Sequence, residues 1–319
     1  MDADMSVIDK NRRFYEEKVA KMIHDSFPQY EDRIAVGLVG EGSDCFGYDD
    51  EISRDHDFGT GVCLWLNDED MALFGAELSK AYRALVDEKE RSFMTKRLME
   101  RRGVTSIHDF YSDILGIDCD TKGCRLSEND WYNLDHSCLK TATNGVVFKD
   151  DLGEFTAFRN YLLGYYPESV WRRRLAEELH KYSSSIQVNY SRAMARGDVV
   201  AASLCKGRAV EAAMELFFLL NREYPPYYKW TFHALREKDA DGEIANKIGE
   251  LATETICLSP WEGTKYLSNR MNFKDRVVSI SEELASLFEA LLLEKGLISR
   301  PSRYLEAHVD ALLGQVEQK

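Results

Sequence analysis

The sequence predicts an α/β (α+β) domain over residues 1–152 followed by an all-α helical-bundle domain over residues 153–319. Two observations carry that division. Up to about residue 150, short apolar runs of strand length alternate with glycine turns and helical periodicity; from about 155 onward, apolar residues recur almost entirely at helical spacing. The length of 319 residues fits two domains better than one, and a composition 44% hydrophobic and 11% aromatic is enough to fill two packed cores. It also excludes a disordered or fibrous chain.

The first domain opens with an amphipathic helix over about residues 8 to 27, turning Phe14, Val19, Met22 and Ile23 toward a core. The run Ile34 to Val39 is apolar throughout, which predicts a strand buried on both faces. It leads into Gly40-Glu41-Gly42-Ser43. A second apolar run, Phe58 to Leu66, predicts the next strand. Asn67-Asp68-Glu69-Asp70 supplies a cap and first-turn acids for a helix whose buried stripe is Phe74, Leu78, Ala81, Tyr82 and Leu85. Val104 to His108 is the next strand candidate. Ser127-x-x-Asp130 has the spacing of a capping box, and Gly145 to Phe148 predicts a last short strand ending in an acidic turn. In the second domain Pro167 begins a helix. Val210, Ala213, Met214, Phe217 and Phe218 form the seam of a later helix, as do Ile280, Leu284, Leu287, Phe288, Leu291 and Leu292 further on.

Charge and cysteine usage exclude several classes. With 41 Lys+Arg against 55 Asp+Glu the net charge is −14, which argues against a nucleic-acid partner held by phosphate contacts. The longest apolar stretches, such as Leu216 to Leu220, are far too short to span a bilayer, so no membrane partner is expected. The acidic start, Met1 to Met5, has no secretory character, and the expectation is a cytoplasmic protein. Seven scattered cysteines read as reduced thiols. Cys119, Cys124, His136 and Cys138 could supply four zinc ligands, but structural zinc pairs are usually spaced more tightly, and buried or loop thiols are the preferred reading.

The chemistry is concentrated between Gly40 and Gly59. A buried strand delivers a glycine turn whose backbone amides can approach an anion, with the Ser43 hydroxyl beside them. Asp55 and Asp57 follow at the start of the next strand. A period of two puts both carboxylates on one face with His56 opposite. Two carboxylates beside a phosphate cradle suit Mg²⁺ (or Mn²⁺) bound by oxygen ligands and a triphosphate. Two metals about 3.5–4 Å apart would clamp the attacking and leaving oxygens of a phosphoryl displacement. Asp49, Asp50 and Glu51 read as a solvated acidic turn.

The pattern formed by Gly42, Ser43, Gly47, Ser53, Arg54, Asp55 and Asp57 resembles the nucleotidyltransferase superfamily of the DNA polymerase β type, in its minimal and antibiotic-modifying branches. The resemblance extends to bacterial proteins that join this core to a C-terminal helical domain. Their turn and helix signatures look like Gly145 to Asp150, Tyr165 to Pro167 and Asn221 to Trp230 here. It implies a nucleotidyltransferase-like fold with a mixed sheet, Gly42 and Ser43 on the β- and γ-phosphates, and Asp55 and Asp57 as catalytic metal ligands. A third acid on a neighbouring strand would complete the catalytic set. Asp109 is the choice by strand position, with Asp118, Asp120 and Asp150 as alternatives.

The expected activity is Mg²⁺-dependent transfer of a nucleoside monophosphate from an NTP to a hydroxyl of a small-molecule acceptor, releasing pyrophosphate. A non-catalytic nucleotide-binding module on the same fold is the alternative. Arg54 is placed at the nucleotide, although an ion pair would explain it equally well. Among Lys206, Arg208, Arg222 and Lys229 of the helical part, Lys229 is the best candidate for the nucleotide. It lies between Tyr228 and Trp230, aromatic residues that could stack a base or a sugar. A third reading rests on Arg174 and His180, whose spacing matches helical ribonuclease domains; it requires both side chains to face one open surface.

Overall fold

The computed structural model describes residues 5–48, 60–86, 102–268 and 270–314. The chain divides into two compact units, Met1–Tyr165 and Tyr166–Lys319. The helix Glu154–Leu163, which the sequence division at residue 152 assigns to the second part, therefore belongs with the sheet.

The first unit is built on a mixed four-stranded sheet, β1 (Ala35–Leu38), β2 (Cys63–Leu66), β3 (Val104–Ser106) and β4 (Val146–Lys149), in the order β3-β2-β1-β4. β1 runs antiparallel to both β2 and β4, while β2 and β3 are parallel. Alternation along β2 sends its residues to opposite faces. Leu64 and Leu66 join Val36 in a buried cluster with Phe14, Val19 and Ile23 from the N-terminal helical stretch and Phe74, Leu78 and Tyr82 from the helix Asp68–Leu85. That N-terminal stretch runs from Val7 to Ser26 and widens to a π-helix over Tyr15–Val19. On the other face the Trp65 ring stacks on Phe155 at 3.7 Å between centroids, with Phe110 edge-on. The tryptophan fits because residue 37 is glycine: a Cβ there would lie 2.9 Å from the indole and 2.6 Å from the Val146 carbonyl oxygen. The sheet is thus covered on both faces by helices, an arrangement that demands the wholly apolar strands read from the sequence.

The local signals act as their chemistry requires. Asn67 caps the helix Asp68–Leu85 by accepting from the Asp70 amide at 2.9 Å, and three acids occupy its first turn. Ser127 and Asp130 form a complete capping box.

Among the described residues of the second unit, every regular element is a helix. Glu168–Tyr182 starts after Pro167 and continues through a π-helix, Ser183–Tyr190, into Ser191–Ala195. The 22-residue helix Val199–Leu220 buries Ala213, Leu216, Phe217 and Phe218, and Arg276–Glu294 buries Ile280, Leu284, Phe288 and Leu292. Several buried polar groups are paired: the Trp171 indole donates to Leu219 O at 2.8 Å, and Asp275 accepts from Tyr190 and Trp261 at 3.0 and 2.7 Å. No described helix of either unit is long and apolar enough to cross a membrane.

Candidate functional site

Strand directions fix which residues meet at each end of the sheet. β1 pairs Gly37 with Cys63, so its C-terminal exit at Gly40 lies beside the start of β2 at Gly61. β3 pairs Val104 with Leu64 in parallel, which brings Arg102 to the same end. β4 pairs Val146 with Leu38, which brings Asn144 there too.

At this end the chain forms a glycine turn. Gly40 and Gly42 have φ of 124° and 118°, backbone that L-residues rarely adopt. Ser43–Phe46 makes one 3₁₀ turn, closed by Gly47 in the left-handed region. The Tyr48 amide donates to Ser43 O at 2.9 Å and the Gly47 amide to Asp44 O at 3.1 Å. Gly42 and Ser43 are partly exposed, whereas Asp44 and Cys45 beneath them are buried. A short turn with an accessible glycine-serine edge can present amides and a hydroxyl to an anion.

Five buried side chains and the half-buried Arg159 hold this end in shape. Asn144 accepts from the Gly40 amide at 2.9 Å and donates to the Gly40 carbonyl at 2.7 Å, occupying both backbone groups. Arg159 in turn fixes the segment carrying Asn144, donating to Thr143 O at 2.6 Å and Asn144 O at 3.0 Å. Asn11 accepts from the Gly61 amide at 2.7 Å, and the Tyr82 hydroxyl from the Val62 amide at 2.8 Å. Asp44 accepts from the Cys45 amide at 2.9 Å and forms a buried ion pair with Arg102. Burial alone would lower the guanidinium pKa of Arg102, but the Asp44 charge holds it above its ordinary value. Burial also pushes the Cys45 thiol well up and the Cys63 thiol to about 11, so neither is a thiolate near neutral pH.

Arg54, Asp55 and Asp57, and with them the expected metal ligands, lie outside the described residues. Among the described residues no group of three or more His, Cys, Asp or Glu is placed to hold a metal ion. Gly42 and Ser43 form the accessible edge of the turn. Asp109 does not join them. β3 ends at Ser106, whose hydroxyl accepts from the Asp109 amide at 2.9 Å and caps the helix Ile107–Leu115. Asp109 is therefore a first-turn helical acid at the opposite end of the sheet, where its carboxylate contacts His108. The spacing Ser106-x-x-Asp109 is the same helix-start signature as Ser127-x-x-Asp130 and outranks the strand reading of Val104 to His108.

The alternatives to Asp109 sit at that far end as well. Asp118 is held by His108 at 2.7 Å. Asp120 caps its own turn at Gly123. Asp150, after the end of β4, accepts from Gly153 and Thr156. Sequence reasoning missed Asn11, Tyr82, Arg102, Asn144 and Arg159, whose partners lie far along the chain. The far end also carries an open cavity of about 270 Å³ lined by Asp68, His108, Lys122 and Glu154.

In the helical unit the candidate cations are mostly engaged in structure. Lys206 donates to Ala252 O and Glu254 O at 3.0 and 2.7 Å, closing the end of the helix Glu243–Thr253. Arg222 pairs with Glu168 at 2.7 Å and covers the Trp171 ring at 3.8 Å. Lys229 is exposed, with its ammonium 5.4 Å from the Trp230 ring centroid, beside a Tyr228 that is 89% exposed. Arg174 lies half-buried over the Tyr166 ring, while His180 bonds Glu306 at 2.8 Å. Six residues apart on a helix they diverge by about 120° and have separate partners, so the shared open face that the ribonuclease reading requires is missing. Of the cysteine set, Cys119 is buried with its thiol donating to Ile117 O, and Cys124 and Cys138 are half-buried.

A profile of a domain of unknown function, DUF4037, matches residues 131–231. That range contains Gly145 to Asp150, Tyr165 to Pro167 and Asn221 to Trp230. No curated protein matches the chain. Among solved structures, a nucleotidyltransferase-like protein from Exiguobacterium sibiricum 255-15 is similar at 11% identity and a TM-score of 0.37, over 94% of this chain and 91% of that one.

Proposed function

We propose that this protein binds a nucleoside triphosphate at the glycine turn and transfers its nucleoside monophosphate to a hydroxyl of a small polar acceptor, releasing pyrophosphate. The observation that carries the reading is the turn itself. Gly42 and Ser43 form an accessible edge on a turn held by buried hydrogen bonds, and the Asp55-His56-Asp57 sequence falls between Tyr48 and Gly61, both at that end of the sheet. Preorganised amides of this kind favour phosphate because they need not reorder when it arrives. In this reading Gly42 and Ser43 receive the β- and γ-phosphates, and Arg54 is a further nucleotide contact. Asp55 and Asp57 would hold Mg²⁺ or Mn²⁺, which when bound supplies charge neutralisation on the phosphates. The acceptor oxygen bonds to the α-phosphorus as the bond to pyrophosphate breaks, and the hydroxyl proton leaves to a base. A net charge of −14 suits a cationic acceptor.

Among the described residues, the distribution of the candidate third acids favours a second reading, nucleotide binding without transfer. Asp109, Asp118, Asp120 and Asp150 all lie at the far end of the sheet, and Asp44 is committed to Arg102. Calorimetry with each NTP and Mg²⁺, on the wild type and on Asp55→Asn/Asp57→Asn, tests the site. Metal-dependent binding by the wild type and its loss in the double variant are expected; no binding of any NTP by the wild type would sink the proposal. Pyrophosphate release with candidate acceptors then separates transfer from binding alone.

A further inference from the structure

We infer that Asp44 and Arg102 are positioning residues of the nucleotide site, holding the Gly42–Gly47 turn in the shape that receives phosphate; the inference rests on the nucleotide reading above. The two side chains are 5% and 4% exposed, and they come from segments brought together only by the sheet. Asp44 is the third residue of the turn. One oxygen takes the Cys45 amide and the other takes Arg102, so the carboxylate is held from both sides. It also lies directly under Gly42: a Cβ at that glycine would come within 2.5 Å of Asp44 Oδ1. The carboxylate and the unusual backbone of Gly42 are therefore mutually fitted, and moving one displaces the other.

Arg102 extends this constraint to the start of β2. A Cβ at Gly61 would meet the Arg102 side chain at 3.4 and 3.5 Å. One arginine thus touches the glycine turn through its guanidinium and the beginning of β2 through its stem. Those two places flank the segment that carries Asp55 and Asp57 in sequence. A buried ion pair gives little net stability over apolar residues of equal volume. What it provides is direction, because a planar guanidinium accepts a carboxylate in few orientations. Neither residue needs to touch the ligand to set the position of the Gly42 and Ser43 edge.

The test is calorimetric binding of Mg²⁺–NTP to Arg102→Lys and Asp44→Asn, combined with Ser43→Ala in a double-mutant cycle. Arg102→Lys keeps the charge and loses the fork, and Asp44→Asn keeps the shape and loses the charge. Each is expected to weaken binding about tenfold, the effect of one charge-assisted hydrogen bond's worth of order, with the far-UV spectrum unchanged. Because all three substitutions act through one turn, Arg102→Lys/Ser43→Ala is expected to lose less than the product of the single losses. Wild-type affinity in Arg102→Lys and Asp44→Asn, or strictly multiplicative losses, would overturn the inference while leaving the nucleotide site intact. Variants that unfold before binding can be measured would make the pair purely structural and overturn it too. A wild type that binds no NTP refutes the nucleotide reading itself, which is a separate failure.

Discussion

Asn11, Asp44, Arg102 and Asn144, at the glycine-turn end of the sheet, are each at most 6% exposed and make their hydrogen bonds away from water. At the opposite end His108, Asp118 and Lys122 make theirs in solvent, with the Asp118 and Lys122 side chains 93% and 64% exposed. Both ends collect polar residues around short connections, yet removing one partner of this turn-end set strands another in the interior, whereas in the His108–Asp118–Lys122 cluster it does not. Water replaces a lost partner in that exposed cluster and cannot do so at the turn end.

The contrast is broken most severely at Arg102. Replacing it with Met leaves the Asp44 carboxylate buried without a counter-charge and is expected to cost about 3–5 kcal/mol in urea unfolding; a loss below about 1 kcal/mol would mean that water reaches the pair. Asn144→Ala strips partners from both backbone groups of Gly40 and is expected to cost about 2–3 kcal/mol. Tyr82→Phe leaves the Val62 amide unsatisfied, and about 1–2 kcal/mol is the expected loss. At the far end His108→Ala should cost no more than about 0.5 kcal/mol, since the imidazole is over a third exposed and its ion pairs are screened.

His108 also sharpens the comparison through pH. Hydrogen bonds to Asp118 and Asp109 raise its pKa in the folded chain above the ordinary imidazole value of about 6.5. Its small contribution is therefore fully present below the unfolded-state pKa and fades as pH rises through the raised one. Urea midpoints of wild type and His108→Ala should differ in acid and converge in mild alkali. A difference that grows with pH would contradict this assignment.

Much of the first unit was legible because its signals are local. Asn67 before three acids, Ser127-x-x-Asp130 and the apolar run at β1 each act within a few residues, and each forms the element its chemistry predicts. The glycine turn was legible for the same reason. Its supports were not: Asn144 reaches Gly40 across more than a hundred residues, and Arg102 reaches Asp44 across 58. Nothing beside Arg102 in the sequence distinguishes it from a surface cation. Asp109 shows how a local signal can be misread, since Val104 to Ser106 is a strand but Ser106 is already the cap of the next helix.

The sheet order has a consequence for how this molecule is made. β1 is flanked by β2, which follows soon after it, and by β4, whose Val147 pairs with Gly37. At translation speeds of roughly 5–20 residues per second, β1 waits several seconds with one edge open before its second neighbour is synthesised. Asn144 emerges at the close of that interval and Arg159 just after it, so the nascent chain holds an unfinished turn until the first unit is nearly complete. An exposed strand edge in an apolar segment invites pairing with other chains. The interval between residues 38 and 146 is thus when a growing chain is most exposed to misassembly, and slowing or truncating synthesis there would reveal a dependence on chaperones that the finished protein has no reason to show.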